Sequence, residues 1–486
     1  MHIREIYSDS SELVQFVKNL TDENCRLASM YVQEPHSNGK RTLETIMLSG
    51  AEMIRIHSDI EMEFPSLISV VPSELYEREI SEMSGVMPSG YSTMKPLRLR
   101  YVRDGEYPLQ KIPNSTKEKR QIPIPHNGMV GDGIFEVPVG PIHAGVIEPN
   151  HFRFSVAGEP ILMLRAHLGF THKGIEKLME QPVGKDMTHL TERISGDNSV
   201  AHSLAYLQAM ERDTDVPERA RYIRTVLAEL ERIYCHLGGI SGIAMDTALS
   251  VPAARGLELR EMMLRLNERI SGSRQLRNML RPGGLRKDID SNGSTSMMDM
   301  MEKLRSDVDD LTEMMRRSPS FTDRAESTGT LSLKQTEDLG TVGPIARASG
   351  VDYDVRKTSP YEMYDRVEFK VPVRTGGDVY SRLMVKKEEV QESIGIVTQC
   401  LELMESGPIL TKTNEVEGFS IGMVESPRGE TIHCVNVVNG KIWRYKIRDA
   451  SFLNWPALEY AVLGDIIPDF PLINKSFDLS CSGNDL

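Results

Sequence analysis

Apolar residues recur every three or four positions in several long stretches of the chain, which is the spacing of an amphipathic helix. The clearest stretch is VPERARYIRTVLAELERIYCHL at 216–237, where Pro217 suits the first helical turn. One face of it carries the apolar side chains Ile223, Val226, Leu227, Leu230, Ile233, Tyr234 and Leu237. The same spacing predicts helices through RGLELREMMLRLNERI at 255–270 and TSMMDMMEKLRSDVDDLTEMMRR at 295–317. The middle of the chain is therefore predicted to be a helical bundle.

Shorter apolar and β-branched runs occur towards the two ends of the chain. A helical opening, SSELVQFVKNLTDEN at 10–24, precedes runs such as SLISVV at 66–71, which favours a small N-terminal α+β domain. GDGIFEVPVGPIHAG at 131–145 is strand-like and punctuated by Gly and Pro, and TIHCVNVVNG at 431–440 and KIWRYKIRD at 441–449 predict late strands. The fold class expected is α+β, with a mainly helical second domain that carries small β elements.

The segment EYPLQKIPNSTKEKRQIPIPHN at 106–127 has no hydrophobic periodicity and is rich in Pro, Lys and polar residues. Such a composition is typical of a connector between domains. We therefore expect one domain at 1–105, a linker at 106–127 and a second domain at 128–486.

Composition narrows the classes of function. The formal net charge of -13 argues against binding to nucleic acid, because phosphate neutralisation requires concentrated Lys and Arg. The five cysteines are scattered without a C-x-x-C pair, which predicts a reduced intracellular protein with no disulfide framework or cluster of its own. Many of the 27 methionines alternate with acids at helical spacing, which indicates gap-filling core residues rather than copper ligands. No run approaches 18 uninterrupted apolar residues, so we expect membrane contact only through partners.

Several segments, taken in order, resemble one family across nearly the whole chain. ELYEREISEMSGV at 74–86 is similar to the Y/W-E-R-E signature of the small hydrophilic subunit of complex I. The segments that resemble the large subunit shared by complex I and membrane-bound NiFe hydrogenases are GPIHAGVIEPNHFRF at 140–154, LGFTHKGIEKLME at 168–180, the helix at 216–237, ASGVDYDVRK at 348–357 and ESPRGE at 425–430. The fusion of both parts, with H-F-R-F and V-A-G-E, looks closest to energy-converting hydrogenases of the formate hydrogenlyase type.

Hydrogenases of this family hold nickel and iron with four thiolates, from an R-x-C-G-x-C and a D-P-C-x-x-C motif. Here the first motif is RISGDN at 193–198 and the second is DLSCSG at 478–483. The four ligand positions carry Ser195, Asn198, Ser480 and Gly483. Cys481 lies one position out of register, and hydroxyl and amide groups do not suit these soft metals. The sequence therefore predicts that this chain binds no metal and does not activate hydrogen.

Complex I large subunits are the other comparison that the resemblance offers. Quinone binding there is attributed to a His and a Tyr, whose positions fall on Ile147 and Gly196 in an ungapped count, while His143 matches an earlier His. Quinone chemistry is thus an expectation that rests on the resemblance and lacks its usual residues.

Individual side chains near these motifs each have a functional and a structural interpretation. His143 could donate to a bound carbonyl or stabilise a turn, and His172 could relay protons or bond a backbone carbonyl before a helix. Glu148 could carry a proton beside the cavity or be a solvated carboxylate at a strand end. Asp354 and Arg356 have the spacing to project from one side of a strand as a charge pair, either towards the cavity or as a structural ion pair.

The remaining candidates form the expected substrate cavity. Arg428 in SPRGE could line it or lie in a surface turn. The residues expected to make a small polar pocket where the metals normally lie are Ser195, Gly196, Asp197, Asn198 and Ser480. Cys481 is the redox-capable side chain of this group, and handling of a sulfur substrate would need a partly exposed thiolate of lowered pKa; a buried core cysteine is the alternative.

The resemblance implies a peripheral subunit on the cytoplasmic face of the cell membrane, in an ion-translocating oxidoreductase complex. The expected partners are a small iron-sulfur subunit, whose [4Fe-4S] cluster supplies electrons, and antiporter-like integral membrane subunits. The electron acceptor is expected to be a quinone, then a sulfur species, then protons. The alternative is a scaffold subunit that has lost catalysis and serves assembly or conformational coupling.

Overall fold

The N-terminal part of the chain folds as a four-stranded sheet with two helices. Its elements in the computed structural model are β1 His2–Tyr7, α1 Leu13–Asp22, β2 Arg26–Gln33, β3 Arg41–Ser49, β4 Glu52–Ile60, β5 Glu63–Phe64, α2 Glu74–Ser84 and β6 Met87–Pro88. The strand order of the sheet is β1-β4-β3-β2; β1 is parallel to β4 and the other pairs are antiparallel. The structure describes residues 2–35, 39–91, 94–102, 106–111, 120–121, 128–143 and 147–486.

The run SLISVV does not form a strand but a turn ahead of α2. The Glu77 carboxylate accepts hydrogen bonds from the Leu67 amide at 2.7 Å and from the Ser73 hydroxyl at 2.7 Å. A side chain thus satisfies polar groups that a neighbouring strand would otherwise satisfy. Most of the linker expected at 106–127 lies outside the described residues.

The second part of the chain is mainly helical, as expected. Its β elements are β7 Tyr101–Val102, β8 Arg120–Gln121, β9 Ile134–Val139, β10 His151–Ala157, β11 Ile161–His167, β12 Leu280–Arg281, β13 Gly284–Leu285, β14 Gly418–Ser426, β15 Gly429–Val438 and β16 Lys441–Arg448. Its helices are α3 Ile175–Leu178, α4 Thr188–Thr191, α5 Ser199–Met210, α6 Glu218–Asp246, α7 Ser250–Ser271, α8 Ser291–Arg316, α9 Pro319–Ala325, α10 Leu333–Asp338, α11 Pro344–Ala348, α12 Val355–Thr358, α13 Val379–Leu403, α14 Ala450–Ala461, α15 Phe470–Phe477 and α16 Cys481–Asp485, with a 3₁₀ turn at Ile467–Asp469.

Helix α6 is the centre of the bundle. It begins after Pro217 and packs against α7, α13 and α15. Both apolar residues and charged residues of this helix are buried, including Glu229 and Arg232. A helix buried on all sides cannot present a polar face to water, so its charged side chains must find partners inside the protein.

Two three-stranded antiparallel sheets flank the bundle. One has the order β11-β10-β9 and the other β14-β15-β16. The N-terminal sheet domain contacts the second of these sheets through buried ion pairs. Arg26 reaches Glu430, and Lys446 reaches Glu79. The two parts of the chain are therefore joined by paired charges in a buried interface.

The methionine-rich helix α8 packs three of its methionines into the core, at positions Met297, Met301 and Met315. This agrees with gap filling at helical spacing. Within the described ranges, no helix is both long enough and apolar enough to cross a membrane.

Candidate functional site

The two motifs that carry the four ligand positions come together although nearly three hundred residues separate them. The first forms the loop between α4 and α5, and Asn198 is the residue ahead of α5. The second follows α15, which ends at Phe477 with Asp478 as its C-cap, and Ser480 caps α16 by accepting from the Gly483 amide at 3.0 Å. The Ser195 and Ser480 hydroxyl oxygens are 3.0 Å apart and both are buried. The structure thus brings the predicted pocket residues Ser195 and Ser480 into direct contact.

The other two ligand positions are also occupied by groups that do not suit a metal. Asn198 is fully buried, and neither polar atom of its amide has a hydrogen-bond partner among the described residues. A Cβ atom at Gly483 would lie 2.7 Å from the carboxyl carbon of Asp449. Hydroxyl and amide groups are poor ligands for nickel and iron, and at Gly483 a cysteine has no room. These four positions therefore do not fit a NiFe centre.

No alternative metal site stands out. Among the residues that the structure describes, no group of three or more His, Cys, Asp and Glu side chains is arranged to hold an ion.

Asp197 and Arg428 form a bidentate ion pair that ties the site together. The two guanidinium nitrogens of Arg428 donate to the carboxylate oxygens of Asp197 at 3.0 and 2.8 Å, and its Nε donates to the Asp478 carbonyl at 2.5 Å. Burial raises the pKa of Asp197, but the charge and hydrogen bonds of Arg428 outweigh burial and hold that pKa below its usual value. The pair links both motifs to the SPRGE turn. Gly196, which lies between Ser195 and Asp197 in the sequence, is exposed.

Glu148 lies against the start of α16. Its carboxylate accepts from the Cys481 and Ser482 amides at 2.5 and 3.1 Å and from the Ser480 and Ser482 hydroxyls at 3.2 and 2.5 Å. Two of these four donors are free backbone amides at the start of α16, which the Glu148 carboxylate satisfies. Glu148 therefore belongs to the site and is not a solvated strand-end carboxylate.

His143 and Cys481 are connected through Asn150. The Nε2 atom of His143 lies 2.8 Å from the Asn150 carbonyl and 2.9 Å from its side-chain oxygen, and the Asn150 amide donates to the Cys481 sulfur at 3.1 Å. This matches the turn-stabilising interpretation of His143. Cys481 is only 2% exposed, and burial raises the pKa of its thiol. The exposed thiolate of lowered pKa that a sulfur-handling Cys481 would need is not present.

His172 forms a hydrogen bond with helix α16. Its Nδ1 donates to the Asp485 carbonyl at 2.7 Å, and burial lowers its pKa, so the ring is neutral near pH 7. The contact is the backbone-carbonyl bond of the structural interpretation.

Asp354 and Arg356 do not lie on a strand and are not brought together with Ser195 and Ser480. Asp354 caps the short helix α12, accepting from the Arg356 amide at 2.9 Å, and the Arg356 side chain turns back to it at 2.7 and 3.0 Å. The expected strand is wrong because an Asp that can cap its own following amides favours a helix start. The pair is part of a buried ion network beneath the SPRGE turn, which includes Glu229.

Sequence reasoning missed several residues of the site. Lys173, next to His172, donates to the carbonyls of Ile194 at 3.3 Å and Ser482 at 3.5 Å, and so places an ammonium beside both motifs. The Tyr234 hydroxyl donates to the Asp197 carbonyl at 2.7 Å. Lys173 lies in a motif that was already identified, whereas nothing in the sequence placed Tyr234 or Asp449 near the pocket.

The chain matches two family models. Residues 246–420 and 413–485 match the one described as respiratory-chain NADH dehydrogenase, 49 Kd subunit. Residues 6–119 match the one described as respiratory-chain NADH dehydrogenase, 30 Kd subunit. The matched regions correspond to the helical part and to the N-terminal sheet domain.

Curated relatives come from both hydrogenases and NADH dehydrogenases. Formate hydrogenlyase subunit 5 of Escherichia coli is 32% identical over 443 residues, covering 87% of this chain and 77% of that protein. Carbon monoxide-induced hydrogenase of Rhodospirillum rubrum is 35% identical over 359 residues, covering 72% of this chain and 99% of that protein. NADH-quinone oxidoreductase subunit 4 of Thermus thermophilus is 32% identical over 405 residues, covering 77% of this chain and 96% of that protein.

A solved structure is also similar. A chain of the membrane-bound sulfane sulfur reductase, an archaeal respiratory membrane complex, superposes with a TM-score of 0.69 at 27% identity, covering 74% of this chain and all of that one.

Proposed function

This chain belongs to the family of complex I 49 kDa subunits and membrane-bound hydrogenase large subunits, and we propose that it is the large subunit of a membrane-associated, ion-translocating oxidoreductase complex with no NiFe centre. A 30 kDa-type domain is fused at its N-terminus. With an iron-sulfur partner it forms a substrate cavity around the two motifs, and a quinone is the first candidate acceptor, followed by a sulfur species.

The observation that carries this proposal is the replacement of four thiolates by Ser195, Asn198, Ser480 and Gly483 in a site whose frame is intact. The ion pair between Asp197 and Arg428 still joins both motifs to the SPRGE turn. Removing one partner of this pair would leave the other charge uncompensated, so the pair keeps both motifs in position beside the turn whatever chemistry the pocket carries.

The cavity residues suit a two-electron reduction that consumes protons. Electrons arrive from a [4Fe-4S] cluster of the partner, which this chain lacks the cysteines to ligate. Lys173 is exposed, yet partial desolvation of its ammonium lowers its pKa, so this group gives up a proton more readily than a fully hydrated lysine. It lies beside the Ile194 and Ser482 carbonyls, where an oxygen or sulfur anion produced by reduction would be protonated.

The assembly is inferred from the relatives. The sulfane sulfur reductase is named as a respiratory membrane complex, and the relative from Thermus thermophilus is named as an NADH-quinone oxidoreductase subunit. We infer an iron-sulfur subunit and antiporter-like membrane subunits as partners, and a peripheral position on the cytoplasmic face of the membrane.

A second function, that of a scaffold for assembly or coupling, is favoured by one observation. The Ser195 and Ser480 hydroxyls bond each other directly, so no ligand is needed to satisfy them. A scaffold would bind the partners and show no turnover with any acceptor.

The test is acceptor reduction by the complex purified through this subunit, with hydrogen, a soluble quinone and polysulfide assayed side by side. Gly196 is exposed, and among the described residues only the Arg277 guanidinium lies within 4 Å of an added Cβ, so Gly196→Leu places an apolar side chain on the surface of the first motif without entering the core. We expect quinone or polysulfide reduction that Gly196→Leu abolishes. The matched control is Gly184→Leu, at an exposed glycine with open space around it. Partner binding without reduction of any acceptor would replace the enzyme by the scaffold.

A further inference from the structure

A cleft of about 440 Å³ separates the N-terminal domain from the helical part, away from the Ser195 and Ser480 contact. The start of α2 and residues 95–100 form one wall, and the end of β11 and helix α14 form the other. This volume lies within the range of small-molecule sites, which often occur where two domains meet.

Two buried nitrogens at the cleft have no hydrogen-bond partner among the described residues, and an exposed lysine lies at the rim. The Nε atom of Arg100 and the Nε2 atom of His167 are buried without hydrogen-bond partners, and Arg100 is otherwise engaged only by the Leu97 carbonyl at 3.2 Å and by contact with the Phe170 ring. Lys95 is exposed at the rim. In the part of the chain that is described, no carboxylate is within ion-pair distance of Lys95 or Arg100. An unmet buried donor costs about 1–3 kcal/mol, which a bound acceptor recovers.

The acids around the cleft are committed to other donors. Glu82 accepts the amides of residues 97–99, Glu459 accepts the Ala166 amide at 2.7 Å and pairs with Arg165 at 3.1 Å, and Glu74 pairs with Arg78 at 3.7 Å. Asp485 holds the Gly169 and Thr171 amides. Asp338 is the one exposed acid that lines the described cleft without such a bond. Among the described residues, the cations Lys95 and Arg100 therefore have no carboxylate partner at the cleft, and their complement is an anion.

We propose that this interdomain cleft binds a small organic anion, whose carboxylate or phosphate oxygens are held by Arg100 and Lys95 and whose apolar body lies on Leu168 and Trp455. The His167 imidazole lines the opposite wall, and its unpartnered Nε2 donates to the same anion in the tautomer that carries the proton there. The proposal is independent of the acceptor of the redox reaction, because the cleft and the cavity around Ser195 share no residue.

A ligand here would touch the back of the second motif. Trp455 lines the cleft and donates its indole N–H to the Ser480 carbonyl at 3.4 Å, and Asn484 of α16 also lines it. Occupancy can thus alter the position of α16, which makes the cleft suited to an effector.

The two tryptophans of the chain provide a direct binding assay. Trp443 lies at the other interface, donating to the Glu34 carbonyl at 2.7 Å, so Trp443→Phe leaves Trp455 as the only reporter. Octanoate is the probe and its uncharged analogue octanamide is the control. We expect octanoate to change the Trp455 fluorescence saturably and octanamide to bind at least about tenfold more weakly, the factor that corresponds to ~1.4 kcal/mol for a charge-assisted bond. Calorimetry on the unaltered chain repeats the comparison if Trp443→Phe lowers the Tm.

Competition by inorganic phosphate distinguishes the two anion classes. Displacement of octanoate at similar concentration assigns phosphate compounds to the site, and failure to displace it assigns carboxylates. Arg100→Gln is expected to weaken octanoate about tenfold or more. Arg317→Gln, at an exposed arginine of the bundle, is expected to leave octanoate binding unchanged. Equal affinity for octanoate and octanamide, or unchanged binding in Arg100→Gln, would overturn the proposal.

Discussion

The pocket around Ser195 and Ser480 and the ion network beneath it lie on the two sides of the same SPRGE turn, yet they differ in the chemistry that they retain. The pocket has small neutral groups at the four positions Ser195, Asn198, Ser480 and Gly483, where the hydrogenase motif pattern calls for cysteine. The network buries Arg232, Arg347 and Arg356 among Glu229, Asp354, Glu389 and Glu425. Arg232 also donates to the carbonyls of residues 425 and 426, so it holds the turn from below.

The difference indicates which part of this chain should tolerate substitution. Neutral groups in a pocket can be exchanged if their hydrogen bonds are met, whereas removal of one member of a buried ion network leaves an unpaired charge. The network therefore fixes the fold, while the chemistry of the pocket above it can be lost or replaced.

The largest expected effect is in the network. Arg347 donates to Glu389 at 2.7 Å and to Glu425 at 2.8 Å, and all three side chains are fully buried. Arg347→Leu removes the nearest cation from both carboxylates and leaves Glu389 only Arg232 at 3.8 Å, so we expect the free energy of unfolding to fall by about 3–5 kcal/mol in denaturant titrations. Arg317→Leu, an exposed change on α8's C-terminal side, should alter it by no more than about 0.5 kcal/mol. Equal effects of the two changes would remove the distinction between network and surface.

The second prediction concerns a carboxyl group between the two regions. Glu231 is fully buried, accepts the Val200 and Ala201 amides, and burial raises its pKa to about 8. Its unfolded pKa is about 4.3. Because the folded state retains the proton, its contribution to stability is present below about pH 4.3 and is lost as the pH rises through 8.

Glu231→Gln should therefore flatten the decline in the free energy of unfolding between pH 5 and pH 8, by at most about 1.4 kcal/mol per pH unit. The exposed change Glu302→Gln on α8 is the control and should leave the slope unchanged. A variant as steep as the wild type would mean that Glu231 is ionised in the folded protein.

A smaller effect is expected at Gly483, the fourth ligand position of the hydrogenase motif pattern. An added Cβ lies 2.7 Å from the Asp449 carboxyl carbon, so Gly483→Ala must displace that carboxylate. We expect a loss of about 1–3 kcal/mol in thermal unfolding, the usual cost of overpacking. Gly184→Ala, where no atom lies within 4 Å of the new methyl group, should be close to neutral. If Gly483→Ala is also neutral, a cysteine fits there and the argument against a fourth ligand fails.

The smallest effect on stability is expected from the contact between the Ser195 and Ser480 hydroxyls. Ser195→Ala also removes the bond to Asp197, and Ser480→Ala also removes the bonds with the Gly483 amide and Glu148, so each single change should cost about 1 kcal/mol or more. A double-mutant cycle should give a coupling energy of about 0.5–1 kcal/mol. Additive effects would indicate that the two hydroxyls do not bond in solution.

The helices were largely predictable because their periodicity is local. The helix predicted through 216–237 continues to Asp246, however, past Gly238, Gly239 and Gly242. At Gly239 and Gly242 the side chains of Lys386, Asp478 and Lys475 from α13 and α15 approach the backbone closely. Glycine lowers helix propensity, so only the tertiary packing explains why the helix does not end there.

Only the site residues that lie within sequence motifs could be predicted. The motif registers placed Ser195 and Ser480 at one centre, and their hydroxyls are in contact. The approach of Asp449 to Gly483 joins segments that share no motif, and Asp354 and Arg356 were assigned to the wrong element because a helix cap and a strand can share the same spacing. Long-range contacts of this kind depend on the packing of the whole fold.

The most direct test of the absence of a NiFe centre is metal analysis of the complex purified through this subunit, combined with a hydrogen turnover assay. The account predicts iron from the partner's cluster, no stoichiometric nickel and no hydrogen turnover. Nickel in a one-to-one ratio with this chain, together with hydrogen turnover, would contradict it.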